Sequence, residues 1–124
     1  MDDKSENKHL YMKTLTSSIL EPKPKGEVLF FGFLKKRSKY FHLWKTRFCI
    51  LTSNYLFAFT GVEKDADCTL ALPLKEILQC SRSENIIKNS FYVETIKDKF
   101  YFKSKNNDIE IWIEQISNQL NSLK

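Results

Sequence analysis

The segment KKRSKYFHLWKTR, residues 35–47, places six basic side chains in thirteen positions with no acid among them, and interleaves Tyr40, Phe41, Leu43 and Trp44. The chemistry open to such a set is the capture of anions. A lysine ammonium acts as a mobile point charge, and an arginine guanidinium holds a phosphate through two parallel hydrogen bonds. Six of the 20 Lys and Arg lie here, which leaves 14 basic against 15 acidic side chains elsewhere, so the net charge of +5 is a local feature. A concentrated excess attracts phosphate-rich partners: a lipid headgroup, a membrane surface or a nucleic acid. Lys45 and Arg47 are two apart, and on a strand they face the same way. Lys36 closes the facing strand of a hairpin, and the residues between can fold over the same anion. Three cations converging on one concave site suit a phosphomonoester. Lys35, Arg37 and Lys39 would each add about 1 kcal/mol near an anionic leaflet, and Phe41 or Leu43 at the tip could dip into the interface.

The elements that must hold these residues are legible on either side. At 124 residues with 42% hydrophobic and 14% aromatic content, the chain fits one domain with one core. Residues 1–8 are polar and charged, with nothing to bury. Residues 9–20, HLYMKTLTSSIL, carry Leu10, Met12, Leu15, Ile19 and Leu20 at loosely helical spacing, and EPKPKGE at 21–27 breaks any helix before the next element. The chain thus divides into an extension over 1–26 and a domain over 27–124. From Val28 the pattern turns to strands: VLFFGFLKKR, HLWKTRFCILT, NYLFAFT, CTLALPL, EILQCSR, SFYVETI and KFYFKS. Gly32 inside the first marks a bulge or a close backbone approach. Phe31 and Phe33 read as core residues, and Pro73 should end the fourth strand or place it at an edge. In NNDIEIWIEQISNQLNSLK, Ile109, Trp112, Ile113, Ile116, Leu120 and Leu123 form one apolar stripe of a helix, with Asn106 or Asn107 as its cap. Short polar connections leave no room for crossover helices, so the fold is mainly β: a seven-stranded antiparallel barrel or sandwich, capped by one C-terminal helix with Trp112 as its plug.

Seven strands followed by one helix with a central tryptophan is an order that resembles the pleckstrin homology (PH) domain. FGFLKKR resembles that family's first strand, LWKTRFCILTSNYLFAF its second and third, LALPL its fourth and IEIWIEQI its closing helix, over roughly residues 27–123. The resemblance implies a phosphoinositide site. A lysine ending strand 1 and a K/R-x-R triplet in strand 2 converge on an inositol headgroup in lipid-binding members, and those positions here are Lys36, Lys45 and Arg47. Two family donors are missing: a strand 3 tyrosine is replaced by Ala58, and an arginine before the fourth-strand proline by Thr69. Their loss implies modest affinity and broad selectivity.

Other chemistries lack their residues. There is no GxSxG, GxGxxG or P-loop pattern, and two histidines with scattered cysteines supply no metal site. No enzyme activity, cofactor or metal is therefore expected. Cys49, Cys68 and Cys80 leave one thiol over in any pairing and read as reduced, with Cys49 a core residue. The opening MDDKSENKHL is unlike a secretory signal, and no run approaches 18 apolar residues. The expectation is a cytoplasmic module that associates peripherally with phosphoinositide-bearing, anionic membranes. The alternatives are a protein-docking scaffold with a solvated basic hairpin, or single-stranded nucleic-acid binding. The latter is not expected, because RNA-recognition sheets need βαββαβ order and the clear helix here comes last.

Overall fold

The computed structural model describes residues 26–83, 88–104, 106 and 108–124. The helix expected over 9–20 and most of the linker that follows it lie outside these residues. The elements are β1 (Val28–Arg37), β2 (Trp44–Thr52), β3 (Tyr55–Phe59), β4 (Cys68–Pro73), a 3-10 turn (Leu74–Glu76), β5 (Gln79–Arg82), β6 (Ser90–Glu94), β7 (Lys99–Lys103) and α1 (Ile109–Ser122). The strands form one sheet in the order β4-β3-β2-β1-β7-β6-β5, antiparallel at every pairing.

The alternation of side chains along β1–β3 divides the apolar residues between two faces. Leu34, Cys49, Leu51, Leu56 and Ala58 point into the main core, where they meet Phe91, Val93 and Phe102 from β6 and β7. α1 packs against β5 and β6 and adds Ile109, Trp112 and Ile116 to that core. Trp112 is 1% exposed and lies edge-on to Phe30, with ring centroids 4.7 Å apart. The indole lies over Gly32: a Cβ there would meet Trp112 Cζ2 at 3.6 Å, an ordinary van der Waals contact. The structure thus shows no approach at Gly32 closer than an alanine would allow. The register shift in β1 lies between Val28 and Phe30 instead.

Two expectations are corrected. Phe31 and Phe33 point away from the main core. Phe31 packs on a second cluster of Phe48, Ile50, Phe57 and Phe59, and Phe33, 46% exposed, stands edge-on to Phe48. An aromatic run in a strand apolar on both faces reads the same whichever face each ring takes. The helix boundary residue is Asp108, one position beyond the expected asparagine caps, and its side chain makes no capping hydrogen bond. Pro73 does end β4, because the chain turns directly into the 3-10 turn at Leu74.

Truncating the helix plug tests this packing. Trp112→Ala should lower the unfolding free energy by about 3–5 kcal/mol, read from urea titration, whereas Ile111→Ala on the helix's exposed side should change it by less than about 0.5 kcal/mol.

Candidate functional site

The β1–β2 pairing sets Leu34 against Arg47, Lys36 against Lys45 and Arg37 against Trp44. Directly paired residues share a face, so Lys36, Lys45 and Arg47 continue the inward face that buries Leu34 and Cys49 further down the same strands. At the open rim that face changes from apolar to cationic. Lys36 also pairs with Phe102 of β7, and its Nζ lies 5.6 Å from the Phe100 ring centroid. Lys36 is half-buried, and this desolvation, with the Arg47 guanidinium as the next cause, holds its ammonium below the ordinary lysine range. Arg47 donates one Nη1 hydrogen bond to the Thr46 carbonyl at 2.9 Å, leaving further guanidinium donors for a ligand. Among the described residues, none of the three cations is held in an ion pair.

Beside Lys36 is a cavity of about 150 Å³ where β1 and β7 diverge, lined by Arg37, Ser38, Lys39 and His42 on one side and by Asp98, Lys99, Phe100 and Tyr101 on the other. Lys39 Nζ bridges it to Asp98 Oδ1 at 3.1 Å, and that contact raises the Lys39 pKa. The loop on this side is held closed. The Ser38 amide donates to the Leu43 carbonyl at 2.7 Å, the Leu43 amide donates to Ser38 Oγ at 3.0 Å, and His42 takes a left-handed backbone conformation with φ of 55°.

β1 runs to Arg37, so Lys35 and Arg37 are strand residues on the outward face, and only Lys39 of the three supporting cations is in the loop. The outward cations lie over aromatic rings: Arg37 Cζ is 5.4 Å from the Tyr101 centroid and Lys103 Nζ is 4.5 Å from that of Trp44. Phe41 and Leu43 are exposed at the tip. Ala58, opposite Cys49 on β3, is fully buried and offers no hydroxyl. Thr69 Oγ1 donates to the Ala58 carbonyl at 3.2 Å.

The contribution from β7 and the turn before it, namely Asp98, Lys99, Phe100 and Tyr101, has no signal within residues 35–47. The only trace is the charged turn at 97–99, more than fifty residues away. Burial pushes the Cys49 and Cys80 thiols up to about 12, which leaves both as unreactive packing groups. Among the described residues, no group of three or more His, Cys, Asp or Glu is arranged for a metal ion, and no helix is long and apolar enough to cross a membrane.

A family model described as PH domain matches residues 28–121. Among solved structures, the Slm1-PH domain in complex with phosphoserine is 20% identical with a TM-score of 0.64, and the match covers 76% of this chain and 96% of that one. The same domain in complex with inositol-4-phosphate is 19% identical with a TM-score of 0.61, over 75% of this chain and 97% of that one. The N-terminal PH domain of human ARAP2 is 21% identical with a TM-score of 0.64, over 84% of this chain and 88% of that one. No curated protein matches the chain.

The repulsion of the Lys36 ammonium by Arg47 has a measurable signature. Arg47→Ala should raise the Lys36 pKa toward the ordinary lysine value, followed by NMR titration of the lysine Cε resonances. An unchanged value would mean that solvent screens Arg47 from Lys36.

Proposed function

The chain belongs to the PH domain family, and from that premise we propose that it is a non-catalytic binding module that recruits its host protein or complex to phosphoinositide-bearing membranes. The observation that carries this reading is the convergence of Lys36, Lys45 and Arg47 on one inward face at the rim. Arg47 grips a phosphate through paired hydrogen bonds, and the two lysines neutralise its remaining charge. A bound phosphate also relieves the repulsion that Arg47 exerts on the Lys36 ammonium. The structures of the Slm1-PH domain with inositol-4-phosphate and with phosphoserine support the choice of a phosphate-bearing ligand.

A second, less selective attraction surrounds the pocket. Lys35 and Arg37 on the outward face and Lys39 in the loop draw the domain toward an anionic leaflet, each by about 1 kcal/mol near the surface. Phe41 and Leu43, 78% and 55% exposed, add apolar contact with the interface. The long-range field delivers the domain and the pocket selects the headgroup. Affinity is modest and selectivity broad, because Ala58 has no hydroxyl and the Thr69 hydroxyl is engaged with the Ala58 carbonyl. Protein docking is the second reading, favoured by the similarity to a DH/PH fragment of PDZRHOGEF solved in complex with human RhoA.

Cosedimentation with phosphatidylcholine vesicles doped with one phosphoinositide at a time separates the two, with charge-matched phosphatidylserine vesicles as the control. One phosphoinositide should outcompete phosphatidylserine. Arg47→Ala or Lys45→Ala should weaken that binding about tenfold to a hundredfold, as expected for the loss of a charged hydrogen bond, while leaving the phosphatidylserine background in place. Binding that follows total negative charge alone would make the basic hairpin an electrostatic patch on a docking scaffold.

A further inference from the structure

The 3-10 turn, the start of β5 and the last turns of α1 enclose a groove of about 380 Å³. Leu74 and Ile77 form its buried floor, Leu120 is half-buried, and Leu78 and Leu123 stand 62% and 47% exposed. No acidic side chain lines the groove, whereas Lys75 and Lys124 do. The groove adjoins the β2–β3 turn, where the Leu74 amide donates to the Asn54 carbonyl at 2.9 Å. That turn begins eight residues beyond Lys45, about 26 Å away at the rise of a strand. The groove and the cationic rim are therefore at opposite ends of the β1–β2 hairpin.

The chain enters the domain beside this groove. The Glu27 amide donates to Ser53 Oγ at 3.1 Å, and the Ser53 amide donates to the Glu27 carbonyl at 2.9 Å. Gly26 has a φ of 90°, and a Cβ there would collide with Ser53 Oγ, so the entry point is fixed at a residue that only glycine suits. Ser53 is in turn held to the helix that forms the groove's other side: Gln119 Nε2 donates to its carbonyl at 2.9 Å. Leu20 precedes Gly26 by six residues, which places it no more than about 22 Å away along even a fully extended chain. The last apolar residues of the 9–20 run are thus tethered within reach of the groove.

That run carries Leu10, Met12, Leu15, Ile19 and Leu20 within twelve positions. Twelve residues are too few to hold a helix in water without a surface to pack on. A tether of five residues, 21–25, presents the run to the groove at an effective concentration on the order of millimolar, which favours it over a separate partner molecule. We propose that the groove is the dock for this chain's own residues 10–20, with Leu15, Ile19 and Leu20 closing over Leu78, Leu120 and Leu123. Glu21, the one acid of residues 9–21, then meets the lysines at the groove. The extension becomes a built part of the domain at the end away from the cationic rim. This goes beyond the phosphoinositide reading and stands independently of it.

The test reads protection and placement separately on the full chain. By hydrogen–deuterium exchange, the amides of residues 12–20 should exchange at least about tenfold more slowly than those of residues 2–8. Leu15→Asp in the extension, which leaves the core of the domain untouched, should abolish that protection. Leu78→Asp in the groove should do the same while the β2 core amides stay protected, whereas Ile111→Asp on the exposed side of α1 should leave it in place. With Leu15→benzoylphenylalanine, photo-crosslinks should fall on residues 74–80 or 117–124 of the same chain, in a yield that does not change with protein concentration. Absence of protection in residues 12–20, protection that survives Leu15→Asp, or crosslinks that fall on the cationic rim overturn the proposal. Crosslinks between chains that grow with concentration also overturn it, by making the groove an interface between two copies.

Discussion

The antiparallel register that sets Lys36 opposite Lys45, with Arg47 two residues along the same strand, is the constraint on which the site depends. Burial desolvates the Lys36 ammonium, and the Arg47 guanidinium on the same face disfavours that charge further. A hairpin free to slip by one residue would relieve the repulsion. It cannot slip, because the same register buries Leu34, Cys49 and Leu51 in the main core and Phe48 and Ile50 in the outer cluster. A one-residue shift would turn each of these to the wrong face. The apolar lower half of the hairpin thus holds the cationic upper half in an arrangement that it would not adopt alone. A group of cations held together by packing favours any anion that enters among them.

β1 serves both faces of that hairpin. Its inward side ends in Lys36 beside the Phe100 ring, and its outward side carries Lys35 and Arg37, with Arg37 over Tyr101. Strand alternation therefore turns one unbroken basic run into two populations. One, Lys36, Lys45 and Arg47, shares the inward face at the rim, with Lys36 and Arg47 partly buried and Lys45 exposed. The other is spread over the outer surface, where screening within about 8 Å at physiological ionic strength limits it to general attraction. The aromatic floor under the outer cations keeps their long side chains over the sheet and leaves their charge in place.

The helix and the edges of the sheet explain why the rim stays open. α1 lies against β5 and β6 and fills the interior with Trp112, so the core is complete without covering the β1–β2 end. Gly32, which the indole packs over, is in the same strand as Lys36. The residue beneath the plug and the residue at the cationic rim are four positions apart on one strand.

Local sequence was enough to identify the seven strands, the closing helix and the grouping of Lys36, Lys45 and Arg47. Each rests on a short period: two for a strand face, 3.6 for the helix stripe, and a two-residue spacing for Lys45 and Arg47. These periods are properties of neighbouring residues and survive without knowledge of the fold. Tertiary structure alone decided which face Phe31 and Phe33 take, because in a strand apolar on both sides the assignment depends on what packs against it. It also brought Asp98, Lys99, Phe100 and Tyr101 to the cavity beside Lys36, and tied Lys39 to Asp98. The pairing of β1 with β7 joins strands that are more than sixty residues apart in the chain. Such a pairing is set by the closure of the whole sheet around its core, a global packing outcome that no local pattern encodes.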